Sequence, residues 1–156
     1  MPRLLVVHHT PSPALQEMLE AALSGTRDPA IGDGSIEGVE VVVRPALTAA
    51  AVEALEADGY LLGTPANIGY ISGALKHFFD TIYYPCLDAT RGRPFAAYVH
   101  GNLDVTGAVR AIDSITTGLG WRSVAPIQTV SGAPTAADRE ALYELGGTIA
   151  ATLTNG

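Results

Sequence analysis

Short apolar runs and helically spaced apolar positions alternate along the whole chain. Residues 3–9, RLLVVHH, are apolar on both faces, which predicts a strand covered on both sides. Beyond them Leu15, Met18, Leu19, Ala22 and Leu23 fall on one helical stripe. The stretch 25–38, rich in Gly and acidic residues, reads as an exposed loop. A second strand is expected over 39–45, a short Ala-rich helix around 48–57, and a third strand over 58–64. A loop then leads to a helix with Ile71, Leu75, Phe78, Phe79 and Ile82 on one face, ending near Pro85. The fourth strand is expected over 94–101. Val109, Ile112, Ile115 and Leu119 mark a further helix, stopped by Gly118 and Gly120. A weaker fifth strand covers 122–130, and Leu142, Leu145, Ile149 and Leu153 mark a last helix opened by Thr135.

Five β-α units imply a parallel sheet with helices on both faces, because each right-handed crossover lays its helix back on the sheet. No repeat or linker divides the chain, so residues 1–156 are expected to form one domain. In such sheets ligands sit at the carboxyl ends of the strands, near the reversal of strand order. That rule selects three loops: 8–14, 64–72 and 100–107.

Composition narrows the chemistry. A net charge of −7 disfavours a nucleic-acid partner, which is held mainly through Lys and Arg. No apolar run is long enough to span a membrane. The opening MPRLLVVHHT lacks a signal-like cleavage region and is expected to lead straight into the first strand. A single cysteine, Cys86, excludes an internal disulfide, and a cytoplasmic location is expected.

The first loop, HHTPSPALQ, contains no glycine, so it is neither a dinucleotide fingerprint nor a phosphate loop. It does supply the hydroxyls of Thr10 and Ser12 beside a helix start. Ser12 suits the N-cap and Pro13 the first helical position. The N–H groups of Ala14, Leu15 and Gln16 would then point outward at the positive end of the helix, an anion site without a basic side chain. His8 and His9 are neighbours on a strand and point to opposite faces, so they do not easily share a metal; no metal site is expected.

The second loop lies within LLGTPANIGYISGALKHFFDTIYYP. Its backbone donors and acceptors could read the rim of a flat polar heterocycle, although local rules alone make it turn and cap chemistry. The pattern Gly63-Thr64-Pro65, Asn67, Gly69, Ser72-Gly73, Leu75-Lys76, Phe79-Asp80 resembles the hallmark segment of the flavodoxin-like NAD(P)H-dependent FMN reductases and the related WrbA-type quinone reductases. About a dozen positions match in order and spacing, and the order of elements is similar over nearly the whole chain.

The resemblance implies an α/β, flavodoxin-like three-layer sandwich with a five-stranded parallel sheet in the order 2-1-3-4-5. It implies non-covalent FMN, with Pro65, Ala66, Asn67, Ile68 and Gly69 at the isoalloxazine ring and the turn His9, Thr10, Ser12, Ala14, Leu15 at the phosphate. His100, Gly101 and Asn102 of the third loop would border the pyrimidine side. There His100 either donates to the flavin C2 carbonyl or simply ends a strand. Against the family's Thr-x-Thr-Gly-x-Thr turn, this chain keeps two hydroxyls. Pro13 replaces the glycine and Leu15 the last threonine, and Pro11 and Pro13 remove two N–H donors.

The expected activity is NAD(P)H-dependent reduction of a flavin, quinone or similar small-molecule acceptor. The alternatives are a flavodoxin-type electron carrier and a scaffold or regulator that has lost FMN. The cofactor performs the redox chemistry, so no catalytic side chain is named. Relatives are commonly homo-oligomers, and Tyr83 and Tyr84 are candidates for a dimer or tetramer interface, or for capping the core.

Overall fold

The computed structural model describes residues 1–29 and 38–155. The elements run β1 (Arg3–His8), α1 (Pro13–Thr26), β2 (Glu40–Pro45), α2 (Ala51–Glu56), β3 (Gly59–Asn67), β4 (Tyr70–Ile71) and α3 (Gly73–Cys86). They continue with β5 (Pro94–Gly101), α4 (Thr106–Leu119), β6 (Arg122–Ser123), β7 (Gln128–Ser131) and α5 (Ala136–Asn155). The central path is β2-β1-β3-β5-β6, all parallel. It is the expected order, with β5 and β6 standing fourth and fifth.

Alternation along β1 explains the layers. Leu4 and Val6 join one apolar cluster with Leu15, Met18 and Ala22 of α1 and Leu142, Leu145 and Ile149 of α5. Leu5 and Val7 join the opposite cluster with Leu75, Phe78 and Ile82 of α3 and Ile112 of α4. Both faces of the sheet are therefore covered, as a continuous apolar strand requires.

Three details differ from the sequence reading. The fifth strand is two short pieces, β6 and β7, both parallel to β5. Pro126 lies between them and has no N–H for the ladder. Helix α1 runs on to Thr26, whose Oγ1 donates to the Leu23 carbonyl (2.6 Å), so the loop expected from 25 begins later. Its portion 30–37 lies outside the described residues. Third, β3 does not stop at 64. It continues to Asn67 and turns back as β4, pairing Ala66 with Ile71 and Asn67 with Tyr70.

The two edges of the sheet are finished differently. At the amino edge, Tyr60 stacks on Trp121 with ring centroids 3.8 Å apart. The Tyr60 hydroxyl donates to Ala54 O (2.6 Å), and burial pushes its pKa up to about 12. Arg93 donates to the Leu55 and Ala57 carbonyls, both at 2.7 Å, closing the end of α2. That edge is sealed by polar groups bonded to one another. The carboxyl edge is open.

Candidate functional site

The first loop builds as its residue types require. Ser12 is the N-cap of α1 with extended backbone, its Oγ accepting from Leu15 N at 3.2 Å, and Pro13 opens the helix. This local bonding changes the donor set. Leu15 N is taken by Ser12 Oγ and Gln16 N by Ser12 O (3.0 Å), so of the three amides expected to face outward only that of Ala14 does. The His9 amide is also spent, on Gly63 O at 3.0 Å. Thr10 and Ser12 keep amides with no partner among the described residues. Thr10 Oγ1 lies 2.7 Å from His8 Nδ1. The Ser12 hydroxyl proton is free to donate, since its oxygen only accepts.

The second loop is a tight hairpin. Ile68 and Gly69 both have positive φ, 50° and 73°, as a two-residue type I′ connection demands. Gly69 suits that conformation; Ile68, β-branched and wholly exposed, does not. The base of the hairpin is locked by Thr64, which is fully buried. Its Oγ1 donates to Pro65 O (2.8 Å) and accepts from Ser72 N (3.1 Å), while Ser72 Oγ caps α3 through Leu75 N (3.1 Å). The tip rests on α4: a Cβ at Gly107 would land on the Gly69 carbonyl oxygen.

In the third loop, His100 is 8% exposed, and its Nε2 is 2.8 Å from the Gly132 carbonyl. A carbonyl only accepts, so Nε2 carries the proton. In the neutral ring Nδ1 is then an acceptor, and the expected donation to a flavin carbonyl would need the imidazolium form. A Cβ at Gly101 would meet Val105 Cγ1 at 2.7 Å, so any side chain there would require Val105 to shift. Asp104 Oδ1 then takes both the amide and the hydroxyl of Thr106, at 2.9 and 2.6 Å.

These three segments enclose one cavity of about 210 Å³ at the carboxyl edge, between the ends of β1, β3 and β5. Ser12, Leu15, Pro65, Ala66, Asn67, His100, Gly101 and Asn102 line it, as the sequence brought together, and Pro11 adds to the wall. His9, Thr10 and Ala14 stand beside it in the same turn, and Ile68 and Gly69 on the hairpin tip, without lining it. No hydrogen bond ties the carboxamides of Asn67 and Asn102 to another described residue. Among the described residues no group of three or more His, Cys, Asp or Glu could hold a metal ion. Gly107 went unnoticed in the sequence; only the three-dimensional approach of Gly69 reveals it.

Comparison with solved structures places this architecture. A flavodoxin from the domain Archaea superposes with a TM-score of 0.80, covering 97% of this chain and 98% of that one at 21% identity. The fold is flavodoxin-like. No family model matches this chain. Its sequence is 33% identical over 82 residues to a flavodoxin of Aquifex aeolicus, covering 53% of this chain and 40% of the relative. It is 31% identical over 100 residues to an NAD(P)H dehydrogenase (quinone) of Acidithiobacillus ferrooxidans, covering 51% of this chain and 46% of the relative. The chain thus matches less than half the length of either curated relative.

The donor set fits FMN. The mouth of α1 offers a hydroxyl and N–H groups at the positive end of a helix dipole, suited to a phosphate. The cavity beyond it has apolar walls at Leu15, Pro65 and Ala66 and open amide groups at Asn67 and Asn102, suited to a ring that is apolar in the plane and polar along one rim. Among the described residues no helix is long and apolar enough to cross a membrane.

Proposed function

We propose that this chain binds FMN non-covalently at the carboxyl edge and passes electrons from NAD(P)H to a small acceptor such as a quinone or a flavin. The observation that carries the reading is the single cavity shared by all three loops at the strand ends. Ser12 and the amides of Ser12 and Ala14 hold the phosphate. The Pro65–Gly69 hairpin and the His100–Asn102 turn hold the ring. When bound, FMN supplies hydride acceptance and onward electron transfer.

The protein's own part is to bind, orient and leave one approach open. No aromatic residue occupies 64–69, and Tyr70, just beyond, is 42% exposed. A ring lying against the hairpin would therefore keep a face accessible to nicotinamide. The strained Ile68 supports the same reading, because strain of this kind persists where a ligand uses it. Self-association is part of the proposal, supported by Tyr84, 81% exposed and packed edge-on against Tyr83. A reducing, cytoplasmic setting is supported by the lone, buried Cys86.

The test is to purify the protein, scan for a flavin band with and without added FMN, and mix the loaded protein with NADPH in a stopped-flow instrument. Direct bleaching supports the reductase. An inert flavin supports the second reading, a flavodoxin-type carrier, which the likeness to the Aquifex aeolicus flavodoxin favours.

A further inference from the structure

The FMN reading gives no work to the side chains of His8 and His9, and of the two only His8 is hydrogen-bonded within the first loop. It ends β1 half-buried, with Pro45 of β2 and Gly63 of β3 as its pairing neighbours. Its Nδ1 lies 2.7 Å from Thr10 Oγ1, the hydroxyl that flanks the mouth of α1. A contact of that length is one hydrogen bond with one proton, and its direction decides what Thr10 can offer a ligand. If unprotonated Nδ1 accepts from Thr10, the hydroxyl proton is consumed. If Nδ1 carries a proton, it donates to Oγ1 and frees the hydroxyl proton for a ligand.

We infer that His8 is a positioning residue which, by taking up a proton, turns the Thr10 hydroxyl toward a phosphate monoester at the start of α1. This rests on the FMN reading and assigns the phosphate its missing positive charge. The first loop carries no Lys or Arg, and two prolines remove N–H donors; of its two histidines only His8 is hydrogen-bonded to a hydroxyl of the turn. Attraction to the dianion favours the imidazolium over either neutral tautomer.

The surroundings leave that charge to His8. In the free protein burial first, then adjacent His9, lowers its pKa, so the empty site holds a neutral ring. On β2, Arg44 is paired with Glu53 of α2 at 2.6 Å, and Glu56 of α2 with Arg3 at 3.0 Å. The first turn of α1 has no acidic residue, and its Glu17 and Glu20 are exposed. On α5, Asp138 takes the Thr135 amide and Arg139 the Pro134 carbonyl, while Glu140 and Glu144 are exposed. On β5, Tyr98 covers Gly63, and burial raises its pKa, keeping it neutral.

The experiment measures FMN and riboflavin affinity from about pH 9 to about pH 7, where the free phosphate, with a second pKa of about 6, is chiefly a dianion. The His8 ring is followed by NMR in parallel. The expected result is FMN binding that tightens by up to about ten-fold per pH unit between the free and bound pKa values of His8, with a flat riboflavin profile. NMR should show the His8 pKa rising on FMN addition. His8→Gln, whose amide still donates to Thr10, should keep affinity at high pH within about three-fold and lose the slope. His8→Phe should lose the slope, weaken FMN below the bound-state pKa of His8 but not at high pH, and leave riboflavin unchanged. FMN binding without slope or pKa shift overturns this inference and leaves the FMN reading standing. Equal slopes for FMN and riboflavin overturn it as well. Absence of FMN binding overturns both.

Discussion

Ile68 occupies a backbone conformation its side chain disfavours, and replacing it separates stability from binding. The residue sits at φ 50° with its side chain entirely in solvent. The left-handed region costs an L-residue about 1–2 kcal/mol, and an exposed side chain offsets none of that by burial. Asparagine tolerates this region and is favoured before glycine in a type I′ turn. Ile68→Asn should therefore stabilise the ligand-free protein by about 1 kcal/mol, which for a domain of this size raises Tm by about 2–4 °C. Binding should move the other way. Complete burial of such a side chain is worth about 1.5–3 kcal/mol, and covering one side of it at the rim of a flavin gives roughly half. FMN should then bind about five-fold to ten-fold more weakly. Thermal melts without ligand and a flavin-fluorescence titration measure the two effects. A variant that melts below the wild type would show that the turn is unstrained. An unchanged Kd would show that the side chain does not meet the flavin.

Three further outcomes follow from the interior and from pH. Thr64→Val strands the buried Ser72 amide and the Pro65 carbonyl, and denaturant melts should record a loss of about 1–3 kcal/mol. Tyr98→Phe should be neutral or stabilising by up to about 1 kcal/mol, since the Tyr98 hydroxyl is buried with no partner; a clear loss would mean that the hydroxyl has an unseen partner. Because burial and His9 lower the His8 pKa, the unfolded chain protonates that ring first as pH falls below about 6.5. Stability from this group is complete above that pH and is lost as pH falls through the folded-state pKa. His8→Gln should flatten this part of the stability profile in melts of the ligand-free protein between about pH 5 and pH 8.

The order of elements was readable because period-2 and period-3.6 patterns alternate cleanly, and caps such as Ser12, Ser72 and Thr135 are standard N-terminal chemistry. The position of the site followed from topology, since strand ends near an order reversal gather loops whatever their sequence. What stayed hidden depends on contacts across the chain. Nothing in Asn67-Ile68-Gly69 announces a hairpin, because the usual turn pair has asparagine or glycine where this chain has Ile68. Gly107 is an ordinary helix-start glycine until Gly69 is seen resting on it. The division of the last strand depended on one proline, Pro126, inside an otherwise acceptable run. The amides of Leu15 and Gln16 looked free for a ligand until Ser12 was seen to bind both.

The central claim is that the three loops hold FMN by its phosphate and its ring together. The most direct measurement is a paired titration of the purified protein with FMN and riboflavin at neutral pH, followed by flavin fluorescence. The account predicts saturable binding of one FMN per chain at or below about 10 μM, with riboflavin about ten-fold or more weaker. No binding of FMN at several times that concentration, or equal affinity for the two flavins, would contradict it.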